Sequence, residues 1–144
     1  MSQKNGKYAK ILQKVDKFLS KIEAADEYVY VLRLNCDNWY VGYTKNIKKR
    51  IRNHFGPQGG CYWTSFYRPI TISALFVGDK LVERQVTLEM MKLFGISNVR
   101  GYNWCQYKLS ERDRWAIQCH HTETSMKYIE NCNNILAKVP LCKV

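Results

Sequence analysis

The chain has 144 residues, which favours one domain with short additions over several domains. A hydrophobic share of 46% is enough for one core and excludes wholesale disorder. Lys and Arg number 23 against 12 Asp and Glu, a net charge of +11, which disfavours folding through self-repulsion and so points to a polyanionic partner, nucleic acid before an anionic membrane surface.

In chain order, residues 7–25 predict an amphipathic helix, because Tyr8, Ile11, Leu12, Val15, Leu19 and Ile22 recur at helical spacing. Lys10, Lys14, Lys17 and Lys21 lie off that stripe, as a solvated face or as a basic flank for a nucleic-acid backbone. Residues 28–34 alternate as a strand, Asn35 to Asn38 supply turn chemistry, and residues 39–44 return as a second strand. Gly42 inside that strand signals the close approach of another backbone or of a ligand. A helix capped by Thr44 or Asn46 runs to about Phe55, and Gly56-Pro57-Gln58-Gly59-Gly60 ends it.

Residues 61–68 read as an aromatic loop, 70–77 as a buried third strand, and 81–94 as a helix stopped at Gly95. The segment ISNVRGYNW then reads as a loop. Ser110 opens a helix to about His120, and a last helix is expected over residues 123–137.

No apolar run is long enough to span a bilayer, and the polar start lacks a signal-peptide core, so an intracellular protein with no membrane association is expected. The cysteines at 36, 61, 105, 119, 132 and 142 then read as reduced thiols. Cys119, His120 and His121 with Cys132 and Cys142 have spacings that match no familiar zinc module.

The chemistry is concentrated in two helices. Lys45, Lys48, Lys49, Arg50 and Arg52 place five cations in eight residues, and Arg50 and His54 stack one turn apart beside the stripe of Ile47, Ile51 and Phe55. Such a face suits phosphate, although a basic helix surface can also be simply solvated. In the 81–94 helix, Val86, Met90, Leu93 and Phe94 define the inner face, and Glu83 falls within a quarter turn of its centre. A carboxylate there needs a cation, a hydrogen-bond donor or a metal. Glu89 falls near the edge of the stripe and reads as a surface carboxylate.

Tyr30 and Tyr40 lie on the two paired strands, where the plain alternative is core packing. A free phenol of pKa about 10 is ionised only about one part in a thousand at neutral pH. Neighbouring cations such as Arg50, or a metal, would lower that pKa.

Tyr28-Val29-Tyr30, then Tyr40-Val41-Gly42-Tyr43-Thr44, then Arg50 with His54, Glu83 in a helix and Asn98 in the following NVRG segment together resemble the GIY-YIG nuclease superfamily over residues 28–103. The helix and NVRG portion looks most like members from large DNA viruses and phages. Tyr28 replaces the family's Gly, Val41 replaces Ile, and the interval from Glu83 to Asn98 is longer than in many relatives, which leaves Asn103 as an alternative. The resemblance implies an α+β fold with a three-stranded antiparallel sheet flanked by helices, in a core at 28–104 between an N-terminal helix (1–27) and a C-terminal helical extension (105–144).

It also implies DNA cleavage with Mg²⁺ or Mn²⁺ bound by Glu83. Tyr30 would be the general base or water positioner and Tyr40 a second hydroxyl in the pocket. Arg50 would contact the scissile phosphate, His54 would orient a tyrosine or relay its proton, and Asn98 would help hold the site. Lys45, Lys48, Lys49, Arg52 and Arg100 are the expected DNA contacts. A catalytically silent DNA-binding module of the same fold is the alternative, and the retention of Glu83, Arg50 and both tyrosines favours the enzyme. A homodimer stays open, and the helices after Ser110 could serve as DNA contacts, a dimer surface or a lid.

Overall fold

The computed structural model describes residues 3–129. Its elements are α1 (Gln3–Leu19), β1 (Tyr28–Leu34), β2 (Asn38–Thr44), α2 (Ile47–Phe55), α3 (Tyr62–Phe66), β3 (Pro69–Val77), α4 (Lys80–Phe94), β4 (Val99–Gly101) and α5 (Glu111–His121). None of the described helices is long and apolar enough to cross a membrane.

The sheet has four strands in the order β3-β1-β2-β4. Three of them form the expected antiparallel set, with β1 between β2 and β3. The fourth corrects the three-stranded expectation. Val99–Gly101, read from sequence as loop, pairs in parallel with Trp39–Val41 and makes the sheet mixed. Three residues are too few to display a period of two. The β1–β2 turn does use left-handed backbone, at Cys36 (φ 62°) and Asp37 (φ 58°); the asparagines and Asp37 predicted such a turn.

Alternation sends the residues of β1 and β2 to opposite faces. One face carries Tyr30, Leu32, Leu34 and Tyr40, packed under α1, α2 and α3 through Val15, Leu19, Ile51, Phe55 and Trp63. The other carries Val29, Val31, Trp39 and Val41, packed under α4 and α5 through Val86, Leu88, Met90, Met91 and Ile117. The segment expected to be aromatic loop contains α3, which Trp63 pins to the sheet by donating from Nε1 to the Trp39 carbonyl at 3.0 Å.

The inner face of α4 is broader than its sequence stripe suggested. Leu93 is half exposed, whereas Glu89 is fully buried. The Glu89 carboxylate accepts from the backbone N–H of Tyr128 at 2.9 Å and of Ile129 at 3.0 Å, and from Gln85 Nε2 at 3.1 Å. It therefore ties the chain after α5 to α4. Donors about forty positions away leave no local trace in sequence, so Glu89 looked like a surface residue. Residues 122–129 form turns and irregular backbone rather than the start of the expected helix over 123–137, the rest of which lies outside the described residues.

Glu89→Ala would leave two backbone N–H groups without acceptors. An unsatisfied buried donor costs about 1–3 kcal/mol, so urea denaturation should show a loss of ~2 kcal/mol or more. Glu89→Gln, which keeps an acceptor oxygen, should lose less. Equal stability of Glu89→Ala and the parent would remove Glu89 from this role.

Candidate active site

The register places Tyr30 directly opposite Gly42 and Leu32 opposite Tyr40. Tyr30 and Tyr40 therefore share a face as diagonal neighbours, with ring centroids 6.2 Å apart. A Cβ at position 42 would lie 2.2 Å from Tyr30 Cζ and 2.3 Å from its hydroxyl. The close approach that Gly42 signals is thus the tip of the Tyr30 side chain. Gly42→Ala must displace a buried ring, and overpacking of this kind costs about 1–3 kcal/mol. A urea midpoint equal to the parent's would show that the ring is not wedged there.

The tip of Tyr30 meets His54 from α2, with Oη 2.6 Å from Nε2. On its other side His54 Nδ1 lies 3.0 Å from Thr64 Oγ1, at α3. The Thr64 hydroxyl donates its own hydrogen to the Gly59 carbonyl, so its lone pairs face His54 and the Cys61 N–H. His54 Nδ1 accordingly carries the ring hydrogen, and Nε2 accepts from Tyr30. Gly60, at φ 78°, lets the loop pass over the imidazole, since a Cβ there would sit 2.2 Å from Nδ1. From sequence alone this glycine run reads only as a helix stop. The two adjacent glycines were the one available signal of close packing, and Thr64 gave none.

Arg50, one turn before His54, is half-buried; its guanidinium donates to the Gly60 carbonyl at 3.2 Å and lies close enough to Tyr30 and Tyr40 to interact electrostatically with both. Burial raises the Tyr30 phenol well above its ordinary value, against the smaller lowering effect of Arg50. Tyr40 is raised in the same way, by burial first and then by Tyr30. The expectation that cations would make these phenols acidic is therefore corrected, because desolvation outweighs the single guanidinium. Burial, and then Arg50, push His54 down to about 3, so its imidazole is neutral at physiological pH.

Glu83 arrives from the opposite face of the sheet. It stands in the first turn of α4, whose N-cap is Asp79, and is 9% exposed. β4 stops opposite Val41, so the β2 edge beyond Gly42 is not covered by it. There the carboxylate lies close to the Tyr102 backbone N–H and within electrostatic reach of Tyr30. Burial raises its pKa, with the Tyr102 N–H and Lys80 opposing. It has no salt-bridge partner among the described residues.

No group of three or more His, Cys, Asp or Glu gathers into a metal cage among the described residues. One unpaired, largely desolvated carboxylate fits a Mg²⁺ or Mn²⁺ that keeps most of its waters and completes its shell with phosphate oxygens. It does not fit a structural zinc. Of the Cys/His grouping near the end of the chain, Cys132 and Cys142 lie outside the described residues.

Two expected site residues are placed elsewhere. Asn98 is exposed and donates to the Phe94 carbonyl at 2.9 Å, at the C-terminal end of α4. Glu83 is at the other end of that helix, about 16 Å away along its axis at 1.5 Å per residue. β4 carries the chain back, so that Asn103, next to Tyr102, is the asparagine near Glu83. Arg100 is 3% exposed. It donates to the carbonyls of Gln106 (2.6 Å), Tyr107 (2.8 Å), Val99 (2.8 Å) and Ile96 (3.0 Å) and stacks 4.3 Å from the Trp63 ring centroid. With its donors turned to carbonyls it is a clasp for the 96–107 loop and is withdrawn from the expected DNA contacts.

Lys45, Lys48 and Lys49 are exposed on and before α2. Arg52 is exposed too, but pairs with Asp16 of α1 at 2.5 Å.

A family model described as the GIY-YIG catalytic domain matches residues 26–89. Among curated proteins, the chain is 31% identical over 67 residues to a UPF0213 protein of Syntrophus aciditrophicus, covering 44% of this chain and 77% of the relative. It is 44% identical over 39 residues to a UPF0213 protein of Natronomonas pharaonis (27% of this chain, 46% of the relative). It is 31% identical over 51 residues to the UPF0213 protein YazA of Bacillus subtilis (35% and 50%). The chain thus spans about three quarters of the first relative and about half of the other two. These relatives are bacterial and archaeal and give the expected viral or phage likeness no support. No solved structure matches the chain.

Proposed function

Because the chain belongs with the UPF0213 proteins and its residues 26–89 match the GIY-YIG catalytic domain, we propose that it is a metal-dependent endonuclease hydrolysing DNA phosphodiester bonds. The observation that carries this reading is the meeting of two half-sites at the β2 edge. Tyr30, Tyr40, Arg50 and His54 come from one face of the sheet, and Glu83, which has no salt bridge among the described residues, comes from the other.

Diester hydrolysis needs an activated water, neutralisation of the phosphoryl charge and help for the leaving oxygen. Tyr30 is the tyrosine for the water, because its hydroxyl alone of the two bonds a free imidazole lone pair. Its raised pKa keeps Tyr30 a neutral phenol at rest, so its oxygen positions the attacking water through a lone pair while its hydrogen is held by His54 Nε2, which orients the ring. The Thr64 and Gly59 acceptors hold the imidazole in the tautomer this needs. Arg50, anchored to the Gly60 carbonyl, presents its partly exposed guanidinium to the scissile phosphate, with the Tyr40 phenol beside it. Glu83 would hold Mg²⁺ or Mn²⁺, which when bound supplies Lewis-acid stabilisation of the phosphoryl and leaving oxygens. Asn103 takes the place expected of Asn98. Lys45, Lys48 and Lys49, with Arg52 behind them, extend the cationic surface for the DNA backbone.

The test is incubation of the full chain with a panel of branched, nicked and plain duplex DNA, with Mg²⁺ or with EDTA. Cleavage of at least one substrate, dependent on the metal, is expected. DNA binding without cleavage of any substrate would leave a silent recognition module.

A further inference from the structure

Beside the candidate site stands a cluster of rings that the hydrolytic chemistry does not use. On α3, Tyr62 and Phe66 are one turn apart and 62% and 56% exposed, and Tyr107, 45% exposed, packs against both at centroid distances of 5.9 and 5.0 Å. The cluster is rigidly seated. Trp63 beneath it is buried, hydrogen-bonded to β2 and backed by the Arg100 guanidinium, and Tyr67 packs edge-on to Trp63 at 4.7 Å.

Three large rings held at the surface forgo the hydrophobic stabilisation of burial, and together they form a patch that calls for a partner. Its surroundings say which kind. Residues 55–78 and 100–110, which carry the cluster, contain no Asp or Glu, and the whole chain has a charge of +11. Gly60, whose carbonyl receives Arg50, precedes Tyr62 by two residues, so their Cα atoms are at most about 8 Å apart. That is the scale of one nucleotide step, which puts the rings beside the phosphate that Arg50 would contact.

We propose that Tyr62, Phe66 and Tyr107 form a stacking platform for an unpaired nucleobase flanking the scissile phosphate. The substrate class is then DNA with single-stranded character at the cut, such as a free strand, a flap or a gap, rather than continuous duplex. Bases inside a duplex already stack on one another and have no free face for a protein ring, whereas an unpaired base offers its π-face whatever its identity. This rests on the proposed nuclease reading for the position of the phosphate, but its test does not use cleavage.

The experiment is fluorescence anisotropy in EDTA, at one fixed salt concentration, with a labelled oligothymidylate and a blunt duplex of equal length. Stacking on an aromatic side chain contributes about 1–3 kcal/mol per base, so Tyr62→Leu with Phe66→Leu should weaken binding of the single strand by about tenfold or more and that of the duplex by less than about twofold. Tyr62→Phe should retain the parent's affinity, because it keeps the ring. Leucine retaining full affinity, equal losses on the two DNAs, or a parent that binds only duplex would overturn the platform and leave the nuclease reading standing. So would sedimentation showing that the leucine variant dissociates a dimer, since the patch would then be a self-association face. A parent that binds neither DNA would overturn both.

Discussion

Glu83→Ala is expected to abolish metal-dependent cleavage, lowering the rate by about a thousandfold or more, while DNA binding measured in EDTA stays within about threefold of the parent. The size follows from the role. A bound divalent ion supplies several kcal/mol of transition-state charge stabilisation, and about 4 kcal/mol corresponds to three powers of ten in rate. Binding is spared because Glu83 is nearly buried and opposes rather than assists the approach of a polyanion. Stability is spared too, since the carboxylate has no salt bridge among the described residues, only the Tyr102 N–H. Removing a partly buried group with a raised pKa relieves a desolvation cost. Full cleavage by Glu83→Ala would sink the metal assignment. Lost cleavage together with lost folding, read from the urea midpoint, would show a structural carboxylate instead.

Arg50→Ala is expected to reduce cleavage by roughly a hundredfold to a thousandfold, the cost of losing one preorganised charge-stabilising donor at a reacting centre. Lys48→Ala, one surface cation among several, should cost only a few-fold, mostly through DNA affinity and mostly at low salt. The contrast arises from geometry. Arg50 is partly buried and anchored to the Gly60 carbonyl beside the two phenols, so its guanidinium is restricted in orientation, whereas Lys48 is exposed. Arg50→Lys should recover little of the loss, because a single ammonium cannot hold the Gly60 carbonyl and a phosphate together as a planar fork can. Equal losses at Arg50 and Lys48 would reduce Arg50 to part of the general electrostatic surface.

The inner structure of the site was only half legible in the residues. Tyr30, Tyr40, Arg50, His54 and Glu83 could each be singled out, because strand alternation and helical spacing show which side chains share a face. How they interact could not be read so directly. The sign of the tyrosine shifts depends on how deeply the rings are buried, and their depth depends on α1 and α3 closing over the sheet. The neutral, Nδ1-protonated His54 depends on Thr64, ten residues away across a glycine loop. Asn98 was misplaced because it precedes β4 and stays at the C-terminal end of α4, and Arg100 because, inside β4, its guanidinium turns to the carbonyls of the surrounding loop.

By itself, then, the sequence determined the secondary elements that exceed two turns or five strand residues, the basic balance that implies a polyanion, and the ordered set of polar residues carried on β1, β2, α2 and α4. These are local properties, readable from periodicity and charge. Only the tertiary structure decided that β4 lies parallel to β2 and stops at Gly101. It also decided that Glu89 is an internal anchor, that Arg100 is a clasp, and that Glu83 comes within electrostatic reach of Tyr30 from the far side of the sheet. The strand pairing, the Glu89 anchor and the Arg100 clasp are contacts between segments separated by loops, in which one partner is a backbone N–H or carbonyl common to almost every residue. Such groups carry no side-chain signature, so the sequence is silent about them until the chain has folded.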